Sequence, residues 1–162
     1  MVENEGAVEV VIEIERHSNR KFEYREETGT MELDRILPYP FFYPYSYGFI
    51  PQTLSEDGDA VDILVISEES YPTGSRLLCR IVGVLEMEDE KGRDEKLLVV
   101  PETDSSVKDI KDIGPSSLED IKWFFTHYKS RDQGRWSRVE DFHDRERAMV
   151  LYGEARTRYS FP

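Results

Sequence analysis

The chain predicts an α+β domain: a small closed β-barrel core with two main helices packed outside it. Three observations carry that prediction. Short apolar runs, alternating or continuous, recur through the first hundred positions, and helical spacing appears only after residue 114. The length of 162 residues, with 38% apolar and 34% charged side chains, suits one domain with one core. Many short strands ahead of two helices fit a sheet that closes on itself and is covered from outside.

The first strand, AVEVVIEIE (7–15), sets Val8, Val10, Ile12 and Ile14 on one face and Glu9, Glu13 and Glu15 on the other. RKFEYR (20–25) alternates too, placing Lys21 and Glu23 opposite Phe22 and Tyr24. TMELDRI (30–36) makes a third strand after a turn at Gly29. The stretch FFYPYSYGFIPQT gathers Tyr43, Tyr45 and Tyr47 between prolines, and Gly48 predicts an unusual backbone turn there. Residues 61–66, 76–87 and 95–100 read as further strands, the last two joined by an acidic turn at Lys91-Gly92. PSSLEDIKWFFTHYK (115–129) opens with Ser116 and Glu119 in capping-box spacing and carries Leu118, Ile121, Phe125 and Tyr128 at helical intervals. DRERAMVLYGEARTRY (144–159) places Ala148, Leu151, Tyr152, Ala155 and Tyr159 on one stripe despite Gly153. With no repeat, low-complexity tract or linker, residues 1–162 form a single domain.

Charge narrows the function. The formal net charge is −13, which argues against a nucleic-acid partner, because a phosphate backbone is bound by a basic surface that displaces counterions. No apolar run approaches the ~20 residues of a membrane span. The start, MVENEGAVEV, lacks the basic and apolar stretches of a secretory signal. Cys79, the one cysteine, excludes an internal disulfide, so the expected compartment is the cytoplasm. An acidic protein can still accept a small anion if divalent metals accompany it.

Two acidic clusters raise that possibility. EDGDAVDILVI (56–66) crowds Asp57, Asp59 and Asp62 at the mouth of an apolar strand. An EF-hand needs glycine at the sixth position of its loop and alternating oxygen ligands. Here glycine is second and Val61 is fifth, so one calcium ion cannot be wrapped. The three carboxylates then fit either a solvated turn or a platform for a hard cation such as magnesium. EMEDEKGRDEKLLVV adds Asp89, Glu90, Asp94 and Lys96 around the second turn. Taken alone this is a soluble hairpin tip; as a pair, two clusters beside buried strands are what a multi-metal centre requires. Lys21, Arg35, Tyr128 and Lys129 each have an ordinary structural reading as well, Lys129 as a cation at a helix C-terminus. Cys79 lies in an apolar strand and reads as packing. His17, His127 and His143 lack the partners of a zinc site.

Together these pieces resemble the soluble inorganic pyrophosphatases of the metal-dependent, barrel-type family, in their compact prokaryotic-like form. The likeness runs from about Val10 to Trp136, with its elements in family order. VVIEI gives Glu13, KFE gives Lys21 and Glu23, DR gives Arg35, and FYPYSYG gives Tyr43 and Tyr47. DGDAVD is similar to the family's aspartate signature, DEKGRDEK supplies Asp89, Glu90, Asp94 and Lys96, and HYK supplies Tyr128 and Lys129. Ala60 stands where the family usually has proline, which implies a slightly looser loop. Arg135 in GRW stands where many relatives carry lysine, which keeps the charge and changes the donor geometry.

The resemblance implies an OB-like barrel and hydrolysis of pyrophosphate to two orthophosphates, by direct in-line attack of a metal-activated water. Asp57, Asp62 and Asp94 would hold the principal magnesium ions, with Asp89 and Glu90 binding further ones, so that several serve each site. Asp59 would take the proton of the attacking water. Lys21, Arg35, Tyr47, Lys96, Tyr128 and Lys129 would clamp phosphate oxygens, supported by Glu13, Glu23 and Tyr43. It implies no cofactor beyond magnesium and a homo-oligomer, a hexamer, with no nucleic acid or membrane as partner. Another phosphoanhydride, such as a nucleoside triphosphate, is the alternative substrate, although no GxxxxGK[ST] loop is present.

Overall fold

The computed structural model describes residues 7–161; residues 1–6, read above as lacking a secretory start, and Pro162 lie outside the described residues. In chain order the elements are β1 (Ala7–Ile14), β2 (Arg20–Arg25), β3 (Thr30–Ile36), β4 (Ser46–Ile50), β5 (Val61–Val65), β6 (Arg76–Asp89), β7 (Gly92–Arg93), β8 (Lys96–Pro101), a 3₁₀ turn (Ile110–Asp112), α1 (Pro115–His127), β9 (Ser137–His143) and α2 (Arg145–Ser160). Five strands close a barrel in the order β1-β4-β5-β8-β6, and pairing of β6 back to β1 seals it. Four of these pairings are antiparallel, and β5–β8 is parallel. The β2–β3 hairpin forms a small sheet of its own, and β9 adds to β6.

In β5 the successive residues Ile63, Leu64 and Val65 are all fully buried, which is why the strand reads as an unbroken apolar run after Asp62. One apolar cluster draws residues from all five strands, among them Val10, Ile50, Ile63, Ile81 and Leu97, and includes Ala148 and Ala155 of α2. The other lies between the sheet and α1, where Leu64, Leu85, Met87 and Leu98 meet Ile121, Phe124 and Phe125. Each such fully buried side chain contributes about 1.5–3 kcal/mol over its exposed state.

Several expectations change. Gly48 is no turn: it sits in β4 opposite Ile12, where an added Cβ would lie 1.8 Å from the Val11 carbonyl oxygen. Close backbone approach is what requires glycine there. Ser116 does not cap α1, which starts at Pro115 with Gly114 as its N-cap and no side-chain cap bond. The capping box instead belongs to Asp109 and Asp112 around the 3₁₀ turn. On α2, Ala148 and Ala155 face the core as expected, whereas Tyr159 is half exposed. The strand expected at 76–87 runs on to Asp89, and the acidic hairpin turns over Glu90 and Lys91, with Gly92 at φ +116°. Strands β4, β7 and β9 have no counterpart in the sequence pattern, where Gly92 of β7 reads as part of the turn.

Candidate active site

The parallel pair explains how two acidic clusters become one. β5 and β8 start at the same end of the barrel, and each is entered through an acidic loop. Their register sets Asp62 directly beside Lys96. β6 runs antiparallel to β8, so its last residue, Asp89, arrives at that end too.

Lys96 is the centre of the arrangement. Its Nζ donates to Tyr47 Oη at 2.8 Å, Asp62 Oδ2 at 2.8 Å and Asp94 Oδ1 at 2.9 Å. An ammonium has three protons, so all of them are given to protein acceptors. Burial alone would discharge this group, since Lys96 is 3% exposed. The charges of Asp62 and Asp94 outweigh that and hold its pKa well above the lysine norm. Tyr47 accepts a hydrogen bond from the ammonium and keeps its own proton to donate. Burial raises the pKa of Tyr43, Tyr47 and Tyr128, which keeps all three as neutral O–H donors. Tyr43 packs on Tyr47 and Phe124, with ring centroids 5.1 and 4.6 Å apart.

A second cation closes the other side. Lys129 Nζ, just past α1, donates to Asp89 Oδ2 at 3.1 Å and to Glu90 Oε2 at 3.2 Å. Burial works against both charges, but the Lys91 N–H and the Lys129 ammonium hold Asp89 below the usual carboxylate range. Asp57 and Asp59 occupy the β4–β5 loop, where Asp57 Oδ1 accepts the Asp59 N–H at 2.9 Å and Gly58 takes φ +92°. No hydrogen bond or ion pair holds the Asp59 carboxyl among the described residues.

Glu13 is the extra residue of a bulge in β1, since Ile12 pairs with Gly48 and Ile14 with Tyr47. Bulges re-aim a side chain, and this carboxyl accepts the Tyr24 N–H at 2.9 Å. On the β2–β3 hairpin, Lys21 Nζ lies 3.7 Å from Glu23 and 3.7 Å from Asp34. Arg35 donates to Asp34 at 3.0 Å and to Asp132 at 3.4 Å. The hairpin touches the barrel end through Glu13, whose carboxyl feels the charges of both Asp62 and Lys21.

The donor set fits a hard divalent cation. Burial, then Asp62 and Glu23, push Glu13 up to about 8. Burial, then Asp59, Asp62 and Asp94, push Asp57 up to about 6. Both are oxygen donors whose ionised form is disfavoured by burial and by neighbouring acids, a penalty that a divalent ion would relieve. Among the described residues no three acidic, histidine or cysteine side chains are gathered into a ready-made cage. Water or substrate oxygens would have to complete any coordination shell, as magnesium prefers.

The sequence profile of the inorganic pyrophosphatase family matches residues 10–160. This chain belongs to that family. It is 45% identical over 155 residues to the inorganic pyrophosphatase of Helicobacter pylori (strain J99), covering 93% of this chain and 90% of that relative. The inorganic pyrophosphatase of Aeropyrum pernix is 43% identical over 157 residues, covering 94% and 89%. Among solved structures, an inorganic pyrophosphatase of Helicobacter pylori superposes with TM-score 0.94 at 42% identity, covering 98% of this chain and 96% of that one. The Thermus thermophilus inorganic pyrophosphatase superposes with TM-score 0.94 at 39% identity, covering 99% and 95%. As an inorganic pyrophosphatase-family chain, it carries the likeness past Trp136 through β9 and all of α2.

Sequence reasoning missed Asp34 and Asp132, the two carboxylates on Arg35. Asp34 left a weak signal, an acid next to a candidate anion-binding arginine. Asp132 left none, being 97 residues away in the loop after α1. The packing reading of Cys79 stands: it is fully buried in β6, and burial pushes the thiol up to about 12. His143 pairs with Glu86 at 2.8 Å, and neither is among the hydrogen-bond partners of Lys96.

Proposed function

We propose that the acidic end of the barrel is the site at which this inorganic pyrophosphatase hydrolyses pyrophosphate to two orthophosphates, with magnesium as its divalent metal. The observation that carries the reading is the meeting of two acidic loops at the parallel β5–β8 pair, with Lys96 between Asp62 and Asp94.

Asp57, Asp62 and Asp94 would hold the principal ions, and Asp89 and Glu90 further ones. When bound, magnesium supplies Lewis acidity toward phosphate oxygens and toward the attacking water. Asp59, whose carboxyl is otherwise uncommitted, accepts the proton of that water as it attacks phosphorus in line with the leaving phosphate. Lys21, Arg35 and Lys129 neutralise phosphate oxygens. Tyr47 and Tyr128 remain protonated at working pH and donate rather than repel. Lys96 reaches a phosphate oxygen only by giving up one of its three bonds; until then it spaces Asp62 from Asp94. Glu13 and Glu23 orient water and Lys21, and Tyr43 backs Tyr47.

Hexameric assembly in the cytoplasm completes the proposal. Sedimentation at a mass six times the 19.0 kDa chain supports the hexamer, and a monomer overturns it. No helix among the described residues is long and apolar enough to cross a membrane. The deciding experiment is orthophosphate release from pyrophosphate with magnesium, with EDTA, and with Asp59→Asn. Fast, magnesium-dependent release that the substitution lowers by about 10²-fold or more supports both activity and role. No release from folded, magnesium-supplied protein refutes the site.

A further inference from the structure

Lys21 and Arg35 are register partners across the β2–β3 hairpin. Like charges directly opposite one another destabilise a strand pair, and two long cations left alone would swing apart into water. In this hairpin the register slips by one residue beside them: Lys21 pairs with Arg35, but Phe22 pairs with Leu33. Asp34 is therefore the extra residue of a bulge. In a regular strand the neighbour of Arg35 would point to the opposite face. Here the bulge brings both side chains to one face, and Asp34 Oδ2 lies 3.0 Å from Arg35 Nε and 3.7 Å from Lys21 Nζ.

We propose that Asp34 is a positioning residue: as the bulged residue of the hairpin, it holds Lys21 and Arg35 side by side as one preformed anion-binding pair. The inference rests on the reading of Lys21 and Arg35 as substrate cations. Asp34 binds through Nε and leaves the outer edge of the Arg35 guanidinium to other acceptors, one Nη1 proton going to Asp132 at 3.4 Å. Burial opposes the ionised carboxylate, but the Arg35 bond and the Lys21 and Arg35 charges hold its pKa below the aspartate norm. The carboxylate is therefore charged at neutral pH and does not compete for a proton with the anion that the pair receives.

The sign of one substitution separates positioning from plain electrostatics. Asp34→Asn removes a negative charge next to two cations. If Asp34 only diluted the local field, the variant would bind anions more tightly. If it positions the pair, the variant must order two long side chains on binding, and affinity falls by roughly tenfold. The measurements are inorganic phosphate titrated calorimetrically into the magnesium-supplied protein, and KM and kcat for pyrophosphate, for the parent, Asp34→Asn, Asp34→Glu and Arg35→Met.

The expected result is a roughly tenfold rise in phosphate Kd and in KM for Asp34→Asn, a smaller fall in kcat, and partial recovery in Asp34→Glu. Unchanged or tighter phosphate binding by Asp34→Asn, beside weakened binding by Arg35→Met, overturns the positioning role and leaves the cations in place. Unchanged binding by Arg35→Met overturns the assignment of Arg35 to substrate, and the inference with it. The hairpin is a small sheet beside the barrel, and unaltered circular dichroism of each variant keeps folding apart from binding.

Discussion

Lys96→Met tests the centre of the site without touching any carboxylate. The methionine fills the space of the lysine stem but leaves Asp62 and Asp94 facing each other with no ammonium between them. The lysine side chain is 4% exposed, Asp94 9% and Asp62 27%. Removing one partner of a buried pair costs roughly 3–5 kcal/mol, and the partial exposure of Asp62 sets this case near the lower figure. Against a total stability of about 5–15 kcal/mol, a loss of about 3 kcal/mol is large. With a urea dependence of about 2 kcal/mol per molar, the midpoint falls by roughly 1.5 M. The assay is urea unfolding in EDTA at pH 7 and fixed protomer concentration, followed by the fluorescence of Trp123 and Trp136. EDTA matters because a ligand that binds only the folded state adds about 2.7 kcal/mol at a hundred times its Kd, and magnesium would raise the midpoint of parent and variant alike. A midpoint within 0.3 M of the parent in EDTA, roughly the experimental scatter, refutes the argument that Lys96 holds this pair together.

Other consequences are equally open to measurement. Gly48→Ala places a methyl 1.8 Å from the Val11 oxygen and forces β1 and β4 apart, so the variant loses at least about 3 kcal/mol, read as a fall in Tm; an unchanged melt contradicts the close approach. Glu13 sits near 8 in the folded protein against 4.5 when free, so between those values the native state holds the extra proton. In EDTA, stability therefore falls as pH rises from about 5 to about 8, by on the order of 2 kcal/mol after solvent screening, and Glu13→Gln flattens that slope. Arg80 donates to the carbonyls of Asp104 and Val107 at 2.8 Å each and of Glu102 at 3.2 Å. Arg80→Met leaves these carbonyls without a donor and loosens the loop, and limited proteolysis then cuts between residues 102 and 107 faster than in the parent.

What the sequence revealed, and what it hid, follows from burial and from distance along the chain. β1, β5, β6 and β8 were legible because apolar runs bounded by acidic turns have few other readings, and α1 because Ile121, Phe125 and Tyr128 recur at helical spacing. β4 was hidden by its own composition: Tyr-Gly beside prolines looks like a loop until Val11 is seen pressed against Gly48. β9 (SRVEDFH) pairs along β6 with largely polar, solvent-facing side chains, so it carries no apolar alternation. The acidic clusters were visible as two features. That they meet depends on the parallel register of Asp62 with Lys96, which no local pattern encodes. Bulges at Glu13 and Asp34 were invisible for the same reason, since a slip of one residue exists only relative to a partner strand.

β6 is 14 residues long and pairs with β1, β7, β8 and β9, so it serves both the barrel seam and the acidic tip. That double service ranks the steps by which the site can assemble. The β6–β8 ladder closes across a short turn and carries Glu88, Asp89 and Asp94 in a hairpin that local contacts can form. The pairing of Asp62 with Lys96 closes a loop of 34 residues, and the β1–β6 seam one of about 70. Loop entropy therefore favours the tip first, Asp62 second and the seam last. Lys96 comes with the hairpin, so the cation is in place before the second set of like charges arrives. Chain connectivity thus lets a strongly acidic pocket form without passing through a state in which its carboxylates face one another unscreened.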